Sequence, residues 1–183
     1  TSFMLKVADE IQHHIPDAQF ILPQSPFTPL AQLRNAIQDK RFVQVLNGSS
    51  GKIVHEKNGT FILTQVGTRI LIVSPSWHYN VLQISDLSLT LPGTNTAELA
   101  ILGIPMIVIL PLNKPEVIPI DGFLGQMCRV PLLGSFLRRF LIRLLLQKLK
   151  FVALPNQQAQ SFIVPEEVGY VDPLKVAYKM VSL

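Results

Sequence analysis

A Gly-Thr turn followed by a glutamate is the part of this sequence whose residue types could bind a ligand. Gly93 and Thr94 separate two apolar segments, and Glu98 comes about one helical turn after Thr94. Backbone N–H groups at the start of a helix bind phosphate, and a carboxylate accepts hydrogen bonds from sugar hydroxyls. Because a nucleotide joins phosphate to a sugar, the spacing indicates a nucleotide-sugar site. The alternative is an ordinary strand–helix–strand unit with a solvated glutamate.

A second polar segment follows a short apolar run late in the chain. Residues 151–153 are predicted to form a strand, and Leu154-Pro155-Asn156 is predicted to form a turn at its carboxyl end. The Gly-Thr turn also follows a strand, and ligands of open α/β sheets bind at the carboxyl ends of the strands. The two turns are therefore expected at one sheet edge, although Asn156 could instead only cap the next helix.

The elements that must position these turns alternate between helix and strand. Apolar periodicity predicts a first helix with one face formed by Met4, Val7, Ile11 and Ile15. It then predicts a strand at 18–22, a helix marked by Leu30, Leu33 and Ile37, and a strand at 42–46. This order is typical of a parallel sheet with helices on its faces.

Residues 47–68 interrupt the alternation. Two short strands at 52–56 and 60–66 are joined by Lys57-Asn58-Gly59, and Asn-Gly is a strong hairpin signal. The pattern then resumes with a strand at 69–73 and a loop with a short helix at 75–84. We expect an α/β fold: a single three-layer, Rossmann-like domain over residues 1–183, with a mainly parallel sheet and a β-hairpin insertion near 52–66 at a sheet edge.

Composition bounds the class of protein. The chain has 183 residues, of which 48% are hydrophobic and 15% are charged, enough for one sizeable core. Its one cysteine, Cys128, excludes an internal disulfide and fits a reducing, cytoplasmic setting. Because Thr1 opens directly into a helical pattern, we expect the chain to be the C-terminal part of a longer protein.

Other chemistry-bearing residues give weaker signals. The four histidines lack the spacing of metal ligands, so no metal cofactor is expected. Trp77 and Tyr79 fall in the loop after a strand, where they could border a base pocket or pack within the loop.

A basic and very apolar stretch extends from Leu133 to Lys150. Between Asp121 and Glu166 there is no acidic residue. This composition favours contact with an anionic membrane surface through Arg138, Arg139, Arg143, Phe136 and Phe140. A buried helix that covers the sheet or packs on a further domain is the alternative. Nucleic acid is not expected as a partner, because few aromatic residues lie among the basic ones.

Several short motifs together resemble the C-terminal domain of lipid-A-disaccharide synthase. They are Ser85-Asp86, Gly93-Thr94, Ala97-Glu98, Gly103-Ile104-Pro105-Met106, Leu154-Pro155-Asn156 with Ala159, and Pro165-Glu166. The helix and strand within residues 3–23 also resemble that family. The Gly-Thr element is shared with many transferases of two Rossmann domains (GT-B type), whereas the Leu-Pro-Asn element is more specific.

The resemblance implies an inverting, metal-independent glycosyltransferase (hexosyltransferase) of lipid A biosynthesis at the inner face of the cytoplasmic membrane. Its C-terminal domain would hold a uridine diphosphate (UDP) acylglucosamine donor. A separate N-terminal domain would hold the acyl-sugar phosphate acceptor and supply the catalytic base. No cofactor is implied beyond the UDP-sugar substrate. Carried over to this chain, Gly93 and Thr94 would contact the diphosphate, Glu98 the ribose and Asn156 the diphosphate or sugar. Asn95 and Pro155 complete the substrate-binding candidates.

The sequence also departs from the family pattern. Pro92 replaces a small residue before the Gly-Thr turn, Gln160 and Ser161 replace a glycine and a basic residue, and the hairpin is foreign to the family. Because the N-terminal domain is missing, the chain on its own is expected to be inactive. The alternatives are another GT-B type transferase or an epimerase, or a non-catalytic, lipid- or membrane-associated scaffold domain of the same fold.

Overall fold

The computed structural model describes residues 1–112 and 150–183, and it is an α/β structure with two sheets. Its helices are α1 (Ser2–His14), α2 (Leu30–Gln38), α3 (Lys40–Val45), α4 (His78–Gln83), α5 (Thr94–Ile101), α6 (Leu154–Ala159) and α7 (Pro173–Val181). Its strands are β1 (Phe20–Pro23), β2 (Gly51–Glu56), β3 (Gly59–Thr64), β4 (Arg69–Val73), β5 (Ser88–Thr90), β6 (Met106–Pro111) and β7 (Glu166–Gly169). A short 3-10 turn, Pro75–Trp77, precedes α4.

The first sheet is mixed and contains the predicted hairpin. Its strand order is β1-β4-β3-β2, with β1 parallel to β4 and β3 antiparallel to both of its neighbours. Glu56 pairs with Gly59, so Lys57 and Asn58 form a two-residue turn. The hairpin at the sheet edge is confirmed.

The predicted strand at 42–46 is wrong, because these residues lie in and just after α3. Val43 and Val45 favour a strand, but Asp39 starts a helix immediately before them. Its carboxylate accepts from the Arg41 N–H at 2.9 Å, and its carbonyl accepts from the Val43 N–H at 3.2 Å. In the structure, the antiparallel strand β3 pairs with β4.

The second sheet is parallel, in the order β5-β6-β7. Ile107 and Ile109 of β6 pack in one apolar cluster with residues of α1 and α7. Met106 and Val108 point to the other face and pack in a separate cluster with Leu99 of α5. Helices therefore cover both faces of this sheet.

Helix α1 packs against residues of both sheets. Its Val7 shares a cluster with Ile107, whereas Leu5 and Ala8 share another with Ile62 of the hairpin. Ile15, predicted on the apolar face, lies beyond the end of the helix and is 42% exposed. Burying a valine, leucine or isoleucine side chain of these clusters contributes about 1.5–3 kcal/mol.

The buried carboxylate of Asp9 also links the hairpin to α1 by hydrogen bonds. Asp9 accepts hydrogen bonds from the Ser49 hydroxyl at 2.5 Å and the Thr64 hydroxyl at 2.6 Å. The Thr64 hydroxyl in turn accepts from the Thr68 N–H at 3.0 Å. The hairpin is consequently part of the core and of its polar network.

Two findings concern the membrane expectation. The candidate contact residues Arg138, Arg139, Arg143, Phe136 and Phe140 fall outside the described residues. Among the helices of residues 1–112 and 150–183, none combines the length and the hydropathy that a membrane span requires.

Candidate functional site

The Gly-Thr turn leaves β5 and starts α5. Gly93 has a φ of 156° and a ψ of −175°, a backbone conformation that residues other than glycine rarely adopt. Gly93 and Thr94 are exposed, and no described residue accepts a hydrogen bond from the N–H groups of Thr94 or Asn95. These N–H groups belong to the first turn of a helix, where they carry partial positive charge. The turn can therefore receive a phosphate oxygen.

The side chain of Asn95 is used inside the turn. Its amide donates a hydrogen bond to the hydroxyl of Thr90, the last residue of β5. Its oxygen lies over Gly93, where a Cβ atom at residue 93 would come within 2.8 Å of it. Of the predicted substrate-binding groups, Asn95 thus offers its backbone N–H, while its side chain holds the turn on the strand.

Replacing Gly93 with alanine is expected to lower the free energy of unfolding by about 2 kcal/mol. The loss combines backbone strain with displacement of the Asn95 side chain from Thr90. Gly67→Ala is the matched control, because Gly67 has a φ of 100° and a Cβ atom added there would meet nothing within 4 Å. It should cost about 1 kcal/mol from strain alone. Urea unfolding followed by circular dichroism measures both losses, and equal values would contradict a role for the Asn95 contact.

The structure brings the two predicted turns together through Thr96. This threonine is fully buried, and its hydroxyl donates to the Gly93 carbonyl at 2.7 Å. The same oxygen accepts from the Leu154 N–H at 3.2 Å. The segment containing Leu154 therefore lies against the start of α5. Sequence reasoning missed Thr96, whose contact with Leu154 spans 58 residues of sequence.

Asn156 is fully buried, and all of its hydrogen-bonding capacity is used within the protein. Its amide donates to the Val164 carbonyl at 2.8 Å and to Oε1 of Glu166 at 2.7 Å. Its oxygen accepts from the N–H groups of Ile163 at 2.8 Å and Val164 at 2.9 Å. Asn156 lies inside α6, whose N-cap is Ala153, so it does not cap that helix. Pro155, beside it, is also buried.

The predicted strand at 151–153 is wrong, because the backbone N–H groups of this segment donate to a side chain and not to a neighbouring strand. The carboxylate of Glu166 accepts from the Val152 N–H at 2.9 Å and from the Ala153 N–H at 2.8 Å. A strand would donate these groups to a neighbouring backbone instead. Glu166 thus holds the residues that precede Leu154, the first residue of α6, while the Leu154 N–H contacts Thr96 of α5.

Glu98 is half-exposed and lies beside a histidine. Its Oε2 is 3.5 Å from Nε2 of His78, and the two side chains are 37% and 33% exposed. His78 begins α4, just after β4, whereas Glu98 lies on the helix that follows β5. The contact therefore joins the segments after two successive strands. Sequence reasoning missed this contact, although the position of His78 in the segment that follows a strand could have indicated it.

The remaining features of the described chain do not suggest a different site. Nowhere in residues 1–112 and 150–183 do three His, Cys, Asp or Glu side chains converge as metal ligands. Two shallow grooves lie along the β2–β3 hairpin and share Ser50, Gly51 and Gln65 in their walls. Neither is lined by Gly93 or Glu98. The candidate site consists of the turn, α5 and His78.

Comparison of the chain with protein-family models, curated proteins and solved structures yields no match. The resemblance to the C-terminal domain of lipid-A-disaccharide synthase accordingly rests on the residues and motifs of this sequence.

Proposed function

We propose that this chain is the nucleotide-sugar-binding domain of an inverting glycosyltransferase that resembles lipid-A-disaccharide synthase, with a three-layer, Rossmann-like arrangement. The observation that carries the proposal is the hydrogen bond between Thr96 and Leu154. It joins the two segments that bear the family motifs, and Glu98 lies on the same helix as Thr96, about one helical turn after Thr94.

In this proposal each part of a UDP-sugar has its own partner. The N–H groups of Thr94 and Asn95 bind the diphosphate, since the start of a helix favours anions. The carboxylate of Glu98 accepts hydrogen bonds from the ribose hydroxyls, and His78 limits its movement. Asn156 is buried and contributes indirectly, by holding the backbone of Ile163 and Val164 in place.

The chemistry that such a site promotes is departure of UDP from the donor sugar. An acceptor hydroxyl attacks the anomeric carbon from the opposite side, and the bond to the diphosphate oxygen breaks. The negative charge that develops on the diphosphate is stabilised by the start of α5. In the proposal, a separate N-terminal domain holds the acyl-sugar phosphate and removes the proton from its hydroxyl. The chain without that domain should bind UDP weakly and should not transfer sugar.

Replacing Glu98 with alanine is expected to weaken UDP binding by about 1–3 kcal/mol, which is roughly 5- to 150-fold in Kd. The physical reason is the loss of charge-assisted hydrogen bonds to the ribose hydroxyls. Glu167→Ala is the matched control, because Glu167 is also half-exposed, at 38%, and also has an ion-pair partner, Lys179. Isothermal titration calorimetry measures the Kd of UDP for the parent chain, for Glu98→Ala and for Glu167→Ala.

The control should bind UDP as the parent chain does. If Glu98→Ala remains folded and binds UDP with unchanged affinity, Glu98 is not part of the site. If the parent chain binds no UDP at all, the proposed donor site is wrong and the non-catalytic scaffold is favoured.

We also propose that the protein works at the inner face of the cytoplasmic membrane, in contact with anionic lipid. The support is the composition of residues 133–150, where many apolar residues accompany five basic residues, Arg138, Arg139, Arg143, Lys148 and Lys150, and no acidic one. An acceptor with acyl chains would reach the site from that surface.

A further inference from the structure

Two exposed aromatic side chains flank the histidine that contacts Glu98. Trp77 is 60% exposed and Tyr79 is 55% exposed. The ring of His78 packs edge to face on that of Tyr79, with the ring centres 5.2 Å apart. These residues follow β4 after a gap of three residues, and their exposure excludes the alternative in which both pack within the loop.

The contact between His78 and Glu98 indicates which part of a bound nucleotide the loop of residues 77–79 would contact. In a nucleotide the ribose lies between the phosphate and the base, so the base must lie beside whatever binds the ribose. Nε2 of His78 lies 3.5 Å from the carboxylate of Glu98, and Trp77 and Tyr79 are the neighbours of His78 in sequence. Aromatic side chains stack on planar bases through their π faces.

We infer that the loop Trp77–Tyr79 stacks on the base of the bound nucleotide and so forms the third part of the donor site. The inference rests on the proposed function, because it places the base from the positions assigned to the diphosphate and the ribose. It assigns to this loop a contribution to affinity that is absent for sugar phosphates without a base.

Tryptophan fluorescence tests the inference directly, because Trp77 is the single tryptophan of the chain. Titration with UDP should change the emission of Trp77 in a saturable way. Ribose 5-phosphate, which keeps the sugar and a phosphate but lacks the base, should bind without a matching change. A UDP complex that forms by calorimetry and leaves the emission unaltered would overturn the inference.

Variants provide the second measurement. Trp77→Ala and Tyr79→Ala should each weaken UDP binding roughly 10-fold and leave the affinity for ribose 5-phosphate unchanged. Tyr178→Ala is the matched control, because Tyr178 is also 60% exposed but lies on α7, where its ring contacts His14. This control should bind both ligands as the parent does.

The outcomes separate the inference from the proposed function. UDP binding that depends on Glu98 but is unchanged in both aromatic variants would overturn the inference and leave the proposed function standing. An equal loss for UDP and ribose 5-phosphate would also overturn it, because the loop would then contact the sugar or phosphate. No UDP binding by the parent chain would overturn both.

Discussion

Replacing Asn156 with aspartate is expected to lower the free energy of unfolding by about 3–5 kcal/mol at pH 7, the range for an unpaired buried charge. The two side chains have the same shape, so no cavity forms. The new carboxylate would keep the acceptor role toward Ile163 and Val164 but could no longer donate to the Val164 carbonyl or to Glu166. It would instead place a second negative charge where the amide now lies, 2.7 Å from Oε1 of Glu166.

Urea unfolding as a function of pH measures this effect and its cause. The stability difference from the parent should shrink as the pH falls toward about 4, because one proton shared between two neighbouring carboxyl groups removes their repulsion. Adding Glu166→Gln should recover part of the loss at pH 7 for the same reason. Asn80→Asp, an exposed site on α4, introduces the same charge and should change little. A variant at residue 156 as stable as the parent at pH 7 would contradict the network.

The regular elements were predictable because their signals are local. Leu33 and Ile37 are buried on α2 as their spacing indicates. Asn58 ends the two-residue turn of the hairpin and Gly59, with a φ of 147°, begins β3, while the apolar run after Pro105 forms β6, which is buried on both faces. In each case the period or turn chemistry of a few neighbouring residues decides the structure.

The failures occurred where a polar side chain overrides an apolar pattern. At 40–45, the cap supplied by Asp39 starts a helix in a segment whose valines favour a strand. At 151–153, the carboxylate of Glu166 takes the N–H groups that a strand would pair. Both overrides depend on where one side chain points, which a pattern of hydrophobicity does not encode.

The candidate site shows the same division. The Gly-Thr turn and the position of Glu98 could be predicted, since a turn and a helical spacing specify them. The hydrogen bonds that the side chains of Asn95 and Asn156 make within the protein could not be predicted. The sequence does not distinguish an asparagine that binds a ligand from one that holds a loop in place. Glu166 is ten residues from Asn156 in the sequence, and the two side chains meet only because the intervening loop folds back.

Charge reversal in the basic stretch is expected to reduce binding to anionic vesicles about 100-fold. Each basic residue near an anionic surface contributes about 1 kcal/mol, so replacing Arg138, Arg139 and Arg143 with glutamate removes about 3 kcal/mol and adds repulsion. The apolar residues of the stretch, including Phe136 and Phe140, add binding that does not depend on charge. Flotation with vesicles of phosphatidylglycerol and phosphatidylcholine measures the effect, and binding by the parent chain should weaken as salt is raised.

A control with the same net charge separates a local surface from the charge of the whole chain. The triple variant lowers the net charge by six, from +4 to −2. Replacing Arg34, Lys57 and Lys175 with glutamate makes the same change at exposed positions of α2, the hairpin turn and α7. This control should keep most of the vesicle binding, because its substitutions leave the basic stretch intact. Equal flotation of the parent and the Arg138, Arg139 and Arg143 variant would overturn the membrane proposal, whereas equal losses in the two variants would show that net charge is responsible.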